Sequence, residues 1–292
     1  MQIKPLQITV HPGLGDFSWV YSKLVNCGRP IDITIAEDSK TKRALTYVNC
    51  LPKISSAKYG TMQDYEILYR TWNGTYEEIL KAEAEGKAIY ISANNWVDKG
   101  NRLESFIPDL PTDFHYEITT KDEDKVRAET MLPAGMKYFG IYTSSLGGNI
   151  AWDGWSANEW VDFITKIYSE FPHVTFVLIG ARWDIDYLPA FIPKLIQTGI
   201  PFINLVGKTP NMSLSLEILK RLDYHIGFAS GMGILSNVLD KPTCMMYPNF
   251  IGKLMYSWPC PRSIATEDYR GFVWDRPVNI FKKIHTKLEQ VL

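Results

Sequence analysis

The sequence predicts an α/β protein built from two domains, each with a parallel β-sheet covered by helices. Short apolar runs with strand character alternate with amphipathic stretches of helical spacing through most of the chain. Repeated β-α-β units of this kind form parallel sheets. The 292 residues are long for one core, and "PAGMK" at 133–137 interrupts the alternation. We therefore expect two Rossmann-like domains facing across a cleft.

The first domain is predicted to span residues 1–132, and its elements follow from the period of the apolar residues. Its strands are expected at "LQITV" (6–10), "IDITIAE" (31–37), "EILYRTW" (66–72) and "KAIYISAN" (87–94). Its helices are expected at "FSWVYSKLVNCG" (17–28), "TKRALTYVNCL" (41–51), "TYEEILKAEAEG" (75–86) and "TTKDEDKVRAETML" (119–132).

The second domain is predicted to span residues 138–292, with the same alternation. Its strands are expected at "YFGIYTSS" (138–145), "VTFVLIGA" (174–181), "FINLVG" (202–207), "YHIGFAS" (224–230) and "TCMMYP" (243–248). Its helices are expected at 156–171, 185–199, 213–222, 231–240 and 277–292. The last of these helices is a candidate to pack back on the first domain.

Composition and charge exclude several classes of protein. The formal net charge of -1 supplies no global positive field for a nucleic acid. The four cysteines have no CxxC spacing, which argues against a zinc site or a disulfide framework. The N-terminus lacks the apolar stretch of a signal peptide, and no run reaches the roughly 18–20 apolar residues of a membrane span. We expect a cytoplasmic protein without an integral membrane segment.

Small and polar residues follow the predicted strands at their carboxyl ends. The segments concerned are "HPGLGD", "SANNW", "TSSLGGN", "IGARWD", "VGKT" and "ASGMG". Open α/β sheets bind ligands beyond these strand ends, so the sequence predicts a site there. Neither GxxxxGK[ST] nor a complete GxGxxG is present, which argues against a P-loop and against a nicotinamide dinucleotide.

Several residues at these turns are candidates to hold a phosphorylated ligand. A turn of small residues before a helix would let phosphate approach backbone N–H groups, although it could equally be a turn chosen for packing. Arg182 and Asp184 could frame a base and ribose, with a helix cap by Asp184 or Asp186 as the alternative. Lys208 could neutralise a diphosphate or be a solvated loop lysine. The remaining candidates are Thr143, Ser144, Ser145, Thr209, Ser230, Gly231, Met232 and Gly233.

Taken together, these turns resemble those of the heptosyltransferase-like glycosyltransferases of family 9, which have the two-domain GT-B fold. The resemblance is carried, in order along the chain, by "GLGDFSWVYSKL", "AIYISANNWVDKGNRL", "IYTSSLGGNIAWDGWSANEW" with "FVLIGARWDID", and "INLVGKTPNMSLSLEILKRLDYHIGFASGMGILSNVLDKPTCMMYP". Two positions depart from the family's donor-site turn, because Ala229 stands where it has Asp and Ile234 where it has His. The donor's phosphates are therefore held differently, or the donor differs from the usual ADP-heptose.

The resemblance implies roles for residues near the acceptor. Asp16 would act as the general base that deprotonates the acceptor hydroxyl, with a helix N-cap as the alternative role. Acceptor-side residues would be Gly15, His11, Asn94, Asn95 and Trp96. No DxD metal motif stands at a strand end, because "DID" at 184–186 falls at a helix start. No metal ion or cofactor is therefore expected.

The function implied is transfer of a sugar from a nucleotide-diphosphate sugar, with inversion and without metal. The acceptor would be a surface glycan or a hydroxylated base in phage-type DNA, for which a local basic patch could compensate the neutral net charge. That patch consists of Lys40, Lys42, Arg43, Lys99 and Arg102. The alternatives are a nucleotide-sugar epimerase on the same fold and a non-catalytic nucleotide-sugar-binding protein. The oligomeric state has no signal in the sequence.

Overall fold

The chain divides into two compact units, each described here by itself. A computed structural model describes residues 5–10, 13–36, 41–60, 67–70, 84, 89–90, 110–111, 113, 115–143, 155–228, 230–247, 269–273 and 275–292. The first unit is Met1–Thr119 with Asn211–Ser213, and the second is Thr120–Pro210 with Leu214–Leu292. The sequence places the boundary later, at 132–138, because it assigns the helix at Asp122–Met131 to the first domain, whereas that helix belongs to the second unit.

The first unit contains a five-stranded sheet in which every strand is parallel to its neighbours. The strands are β1 (Leu6–Val10), β2 (Ile31–Ala36), β3 (Ile54–Gly60), β4 (Ile67–Arg70) and β5 (Ile89–Tyr90). Their order is β3-β2-β1-β4-β5. The order reverses at β1, so the topological switch point lies between β1 and β4.

Strand β3 is absent from the strands that the sequence predicts. It lies at the edge of the sheet, and its Ser55, Ser56 and Lys58 side chains are exposed. An edge strand has one neighbour and one solvated flank, and polar or charged residues there hinder pairing with other chains. Strand β3 therefore lacks the run of apolar residues from which a strand is predicted.

Two helices, α1 (Leu14–Leu24) and α2 (Thr41–Val48), are described in the first unit. Phe17, Val20, Tyr21 and Leu24 recur at helical spacing and are at most 1% exposed, so one face of α1 is in the core. The helix begins at Leu14, three residues before the predicted start. The predicted helix at 75–86 lies, apart from residue 84, outside the described residues.

The second unit contains a six-stranded sheet, again with all strand pairs parallel. The strands are β6 (Lys137–Tyr142), β7 (Val174–Leu178), β8 (Phe202–Asn204), β9 (Tyr224–Phe228), β10 (Thr243–Tyr247) and β11 (Tyr269–Val273). Their order is β11-β10-β9-β6-β7-β8. This is the doubly wound Rossmann order, with its switch point between β6 and β9. Edge strand β11 was not among the predicted strands.

Along the chain, helices precede or follow the strands of this sheet, and their buried side chains form much of the core. They are α3 (Asp122–Met131), α4 (Ala157–Glu170), α5 (Leu188–Gln197), α6 (Met212–Arg221), α7 (Gly231–Val238) and α8 (Pro277–Val291). The predicted helix at 185–199 is divided, because a 3₁₀ helix at Arg182–Tyr187 precedes α5. Helix α4 begins with a capping box, in which Ser156 Oγ accepts from the Glu159 N–H and Glu159 accepts from the Ser156 N–H.

An aromatic cluster forms the centre of the second unit. Trp155 and Trp160 meet edge to face with ring centroids 4.7 Å apart, and Phe163 packs against both rings. The buried face of α8 joins the same core through Ile280, Phe281, Ile284 and Leu288. The terminal helix thus belongs to the second unit. That it also packs back on the first domain stays a prediction.

Candidate functional site

The carboxyl ends of β6 and β9 approach each other closely at the switch point of the second sheet. Tyr142 of β6 lies opposite Gly227 of β9. A Cβ atom on Gly227 would lie 2.9 Å from both the Cβ and the carbonyl oxygen of Tyr142, so only glycine fits without a shift. Half-buried Thr143 directly follows β6, and half-buried Ser230 lies two residues after β9, so both follow a pair of closely joined strands.

Ser230 is the N-cap of α7, and this helix start can accept an anion. Its Oγ accepts a hydrogen bond from the Gly233 N–H at 3.3 Å. The N–H groups of Gly231 and Met232 have no hydrogen-bond partner within the described part of the chain. Unpaired N–H groups and the positive end of the helix dipole together favour a bound phosphate. These residues are four of those predicted from the sequence.

Glycine at position 233 lets the first turn of α7 lie against β10. A Cβ atom there would lie 3.0 Å from Met245 Sδ and 3.4 Å from its Cγ. A larger residue would therefore press on Met245, which is 1% exposed. The sequence leaves two interpretations of this turn, phosphate binding and close packing. Close packing explains Gly233, whereas Gly231 and Met232 supply N–H groups that have no partner in the described part of the chain.

A buried imidazole contacts α7 from strand β9. His225 is 1% exposed, and its Nδ1 lies 3.0 Å from Ser236 Oγ. Ser236 Oγ also donates to the Met232 carbonyl oxygen at 3.0 Å. Burial lowers the pKa of His225 to about 3, because the charged form is desolvated. The ring is therefore neutral near neutral pH, and it contacts this helix without carrying a charge.

The loops after β7 and β8 bring two cations to the same edge of the sheet. Arg182 and Lys208 are both exposed, and neither side chain has an ion pair or hydrogen bond within the described residues. The Gly207 N–H donates to the Gly180 carbonyl at 3.0 Å, which joins the two loops. Gly207 has a φ of +71°, and a Cβ on it would lie 2.7 Å from the side chain of Ile185. Arg182 and Lys208 are thus on adjacent, packed loops.

Asp184 has a structural contact in this region. Its carboxylate is 4% exposed and accepts a hydrogen bond from the Ala181 N–H at 2.6 Å. This closes the turn that begins the 3₁₀ helix, which is the capping role that the sequence offers as the alternative to a ribose contact. Asp186 is exposed and Thr209 is half-buried. A ribose contact by Asp184 stays a prediction.

In the first unit, Gly15 and Asp16 lie in the first turn of α1, beyond the switch-point strand β1. The N-cap position is held by Gly13, so Asp16 is the third helical residue. Acidic residues in a first turn are favoured by the helix dipole. Asp16 therefore follows the carboxyl end of β1, as the sequence predicts. The residues expected to form a turn before the helix are part of its first turn.

A hydrogen-bond network fixes this first turn. Ser18 Oγ donates to the Leu14 carbonyl oxygen at 2.7 Å and lies 3.2 Å from the Tyr47 hydroxyl, which in turn lies 2.8 Å from the Tyr116 hydroxyl. All three side chains are at most 5% exposed. Desolvation raises the pKa of Tyr47, so its hydroxyl keeps its proton. Sequence reasoning missed this network, since no local pattern joins α1 to Tyr47 and Tyr116.

The other predicted site residues lie outside the described residues. They are His11, Asn94, Asn95, Trp96, Ser144 and Ser145. Across the described ranges, no group of three or more His, Cys, Asp and Glu side chains is arranged to hold a metal ion. Among the described helices, none has the length and apolar character needed to cross a membrane.

Known proteins resemble the chain in fold. No protein-family model matches it, and no curated protein matches it by sequence. The structure of E. coli ADP-heptose LPS heptosyltransferase II matches with a TM-score of 0.67 at 13% identity, covering 98% of this chain and 99% of that one. A family 9 glycosyl transferase from Veillonella parvula matches with a TM-score of 0.55 at 13% identity, over 100% and 91%.

A third match is UDP-GlcNAc 2-epimerase from Neisseria meningitidis, with a TM-score of 0.53 at 11% identity, over 97% and 91% of the two chains. At these identities the likeness establishes the fold. The chain has the heptosyltransferase-like family 9 fold, so the predicted α/β, GT-B architecture with two Rossmann-like domains is confirmed.

Proposed function

We propose that this chain is a glycosyltransferase that moves a sugar from a nucleotide-diphosphate sugar to an acceptor hydroxyl. The observation that carries the proposal is the carboxyl edge of the second sheet. There the first turn of α7, Thr143, Arg182 and Lys208 follow four consecutive strands. Backbone N–H groups, a hydroxyl and two cations are the groups that stabilise a leaving diphosphate. The E. coli protein of this fold, named for ADP-heptose, supports the same donor class.

The proposed reaction is a single displacement with Asp16 as the general base. The Asp16 carboxylate takes the proton of the acceptor hydroxyl as its oxygen attacks the anomeric carbon. The bond between that carbon and the diphosphate oxygen breaks, and its electron pair leaves with the nucleoside diphosphate. One displacement inverts the configuration at the anomeric carbon. General-base catalysis typically contributes ~10²–10⁴ in rate.

The proposal extends to the partners of this reaction. The chain would work in the cytoplasm without metal ion or cofactor, because the leaving group is met by helix N–H groups and by Arg182 and Lys208. Gly15 together with His11, Asn94, Asn95 and Trp96 would bind the acceptor. That acceptor would be a surface glycan or a hydroxylated base in phage-type DNA.

A second candidate is a nucleotide-sugar epimerase, favoured by the likeness to the Neisseria meningitidis enzyme. The two activities differ in their products, because an epimerase converts the nucleotide sugar without any acceptor. A non-catalytic binding protein is the third candidate, and it is favoured by Ala229 and Ile234 in place of the family's Asp and His.

The experiment begins with a thermal-shift screen of nucleoside diphosphates and their sugar conjugates. A ligand present at about 100 times its dissociation constant adds about 2.7 kcal/mol of stability. A shift with one base identifies the donor, and mass spectrometry then follows the sugar in mixtures of candidate acceptors. Absence of any shift, with a working control protein in the same plate, would refute donor binding.

Asp16→Asn separates catalysis from binding. We expect donor affinity to be kept and transfer to fall by about 10²–10⁴. Asp162→Asn, at an exposed position on α4, is the matched control and should transfer at the wild-type rate. Full transfer by Asp16→Asn would refute the role of Asp16. Epimer formed without acceptor would replace the transferase proposal by the epimerase.

A further inference from the structure

A buried polar contact links His225 of strand β9 through Ser236 of helix α7 to the carbonyl oxygen of Met232 in the first turn of that helix. His225 Nδ1 lies 3.0 Å from Ser236 Oγ, and Ser236 Oγ donates to the Met232 carbonyl oxygen at 3.0 Å. Met232 directly follows Gly231, and the N–H groups of both residues have no hydrogen-bond partner within the described part of the chain. The contact therefore reaches from the strand to the turn that would hold the diphosphate.

The protons of this contact can be assigned from its geometry. A serine hydroxyl has one proton to donate, and Ser236 uses it on the Met232 carbonyl. With that proton used, the proton between His225 and Ser236 is assigned to Nδ1–H of the imidazole. In this neutral tautomer Nε2 carries no proton, and it has no hydrogen-bond partner within the described residues. An unprotonated, unpaired Nε2 leaves no buried donor unsatisfied, which favours this tautomer over the other.

We propose that His225 is a positioning residue of the donor site, which acts through Ser236 to hold the first turn of α7 in its phosphate-binding geometry. This inference rests on the proposed function. His225 itself is 1% exposed and lies on the strand, so it touches the donor only through the helix. A turn held in place before binding loses less conformational freedom when the anion arrives.

The first turn of α7 is restrained at Gly233 by two contacts that do not involve His225. Ser230 Oγ holds the Gly233 N–H, and Gly233 lies against Met245 of β10. Both act at Gly233. At Met232, the carbonyl oxygen accepts the Ser236 hydroxyl proton in addition to its place in the helix, and that hydroxyl lies beside His225 Nδ1. Loss of the Nδ1–H donor frees the Ser236 hydroxyl to rotate and removes this added hydrogen bond from the first turn.

The test compares nucleoside diphosphate binding by calorimetry in wild type and in matched variants. His225→Leu removes the Nδ1–H donor, and Ser236→Ala removes the link. His225→Asn keeps an N–H donor close to the position of Nδ1 and should rescue. Ile284→Ala, in the core on α8, should destabilise the same unit at a residue outside both β9 and α7. Dissociation constants are measured at a temperature at which circular dichroism shows each variant to be folded, so that differences in global stability do not affect the comparison of binding.

We expect His225→Leu and Ser236→Ala to weaken binding by about five- to tenfold, the size of one hydrogen bond. His225→Asn and Ile284→Ala should bind within about twofold of wild type. Unchanged binding by His225→Leu and Ser236→Ala, or an equal loss in Ile284→Ala, overturns the positioning role alone. Wild type that binds no diphosphate overturns the proposed donor site and this role together.

A long-range proton–nitrogen NMR spectrum of the imidazole gives a second readout that needs no ligand. The Nδ1–H tautomer is expected for His225, and Ser236→Ala should mix the two tautomers while leaving the fold intact. An Nε2–H tautomer in wild type contradicts the proton assignment and overturns the inference, whatever the binding data show.

Discussion

Acid should destabilise the second unit through one side chain, the buried imidazole of His225. Its pKa is lowered from 6.5 to about 3 by burial in the fold. When the chain unfolds, the ring returns to water and takes up a proton near 6.5. Between these two values the unfolded state binds more protons than the folded state, so the free energy of unfolding falls as the pH falls.

The size of the effect follows from the two pKa values. Each pH unit inside the window contributes about 1.4 kcal/mol. Going from about pH 7.5 to about pH 5.5 should therefore remove about 1.4 kcal/mol of stability, and reaching about pH 4.5 should remove about 2.7 kcal/mol. Above pH 6.5, the pKa of the ring in the unfolded chain, the stabilising contribution of the buried neutral imidazole is fully present. Below the pKa of the folded state both states bind the proton, so the free energy of unfolding falls no further through this group.

Denaturant unfolding followed by tryptophan fluorescence measures this effect, because Trp155 and Trp160 are buried in the same unit. The quantity compared is the difference in stability between wild type and His225→Leu at each pH, in which the other titrating groups cancel. His285→Gln, which removes a less buried imidazole on α8, serves as the control. Stability curves for wild type and His225→Leu that run parallel with pH would refute the reasoning.

Three further outcomes are expected. Gly227→Ala should lose about 1–3 kcal/mol and weaken diphosphate binding, since its Cβ meets Tyr142; Gly28→Ala, in open space, is the control, and equal melting of both variants would contradict this. Ser156→Ala should lose ~1 kcal/mol in denaturant unfolding by breaking the capping box, and unchanged stability would contradict the contact. Lys208→Ala should keep its stability but bind diphosphate about fivefold more weakly, with a smaller salt dependence; wild-type affinity at low salt would exclude Lys208 from the site.

Strand and helix periods predict most of the described fold, and the exceptions have physical causes. The central strands β6, β7 and β9 are almost fully buried, and this matches their mainly apolar sequences. Edge strand β3 was missed because its polar side chains face solvent. The early start of α1 was missed because Gly13, Leu14 and Gly15 suggest a turn, whereas the helix begins at Leu14 and includes Gly15.

The sequence also predicts which edge of the sheet carries the site, since all parallel strands end on one side. It cannot predict which strand ends become neighbours. Thr143 and Ser230 are far apart in the chain and are brought together by the pairing of β6 with β9. The contacts that fix each helix start were missed for the same reason, because they join residues of different elements.

The two units fix the helix at their switch point in the same way. In α1, Ser18 bonds the Leu14 carbonyl four residues earlier and lies beside Tyr47. In α7, Ser236 bonds a carbonyl four residues earlier and lies beside His225. Burial raises the pKa of the tyrosine and lowers that of the histidine. One physical cause thus keeps both rings uncharged, because a phenol is neutral when protonated and an imidazole when it has lost a proton.

An uncharged ring can be buried against a helix without a counter-ion, which a carboxylate or ammonium group could not. Each ring then reaches the first helical turn through a serine, and those turns carry Asp16 in one unit and Gly231 in the other. The two positions with proposed roles in base catalysis and in phosphate binding therefore both lie in a first helical turn that a buried ring contacts through a serine. Replacing Tyr47 by Phe should accordingly reduce transfer while leaving diphosphate affinity unchanged, whereas His225→Leu should weaken that affinity; a loss of affinity in Tyr47→Phe equal to that in His225→Leu would show that the two networks do not act separately.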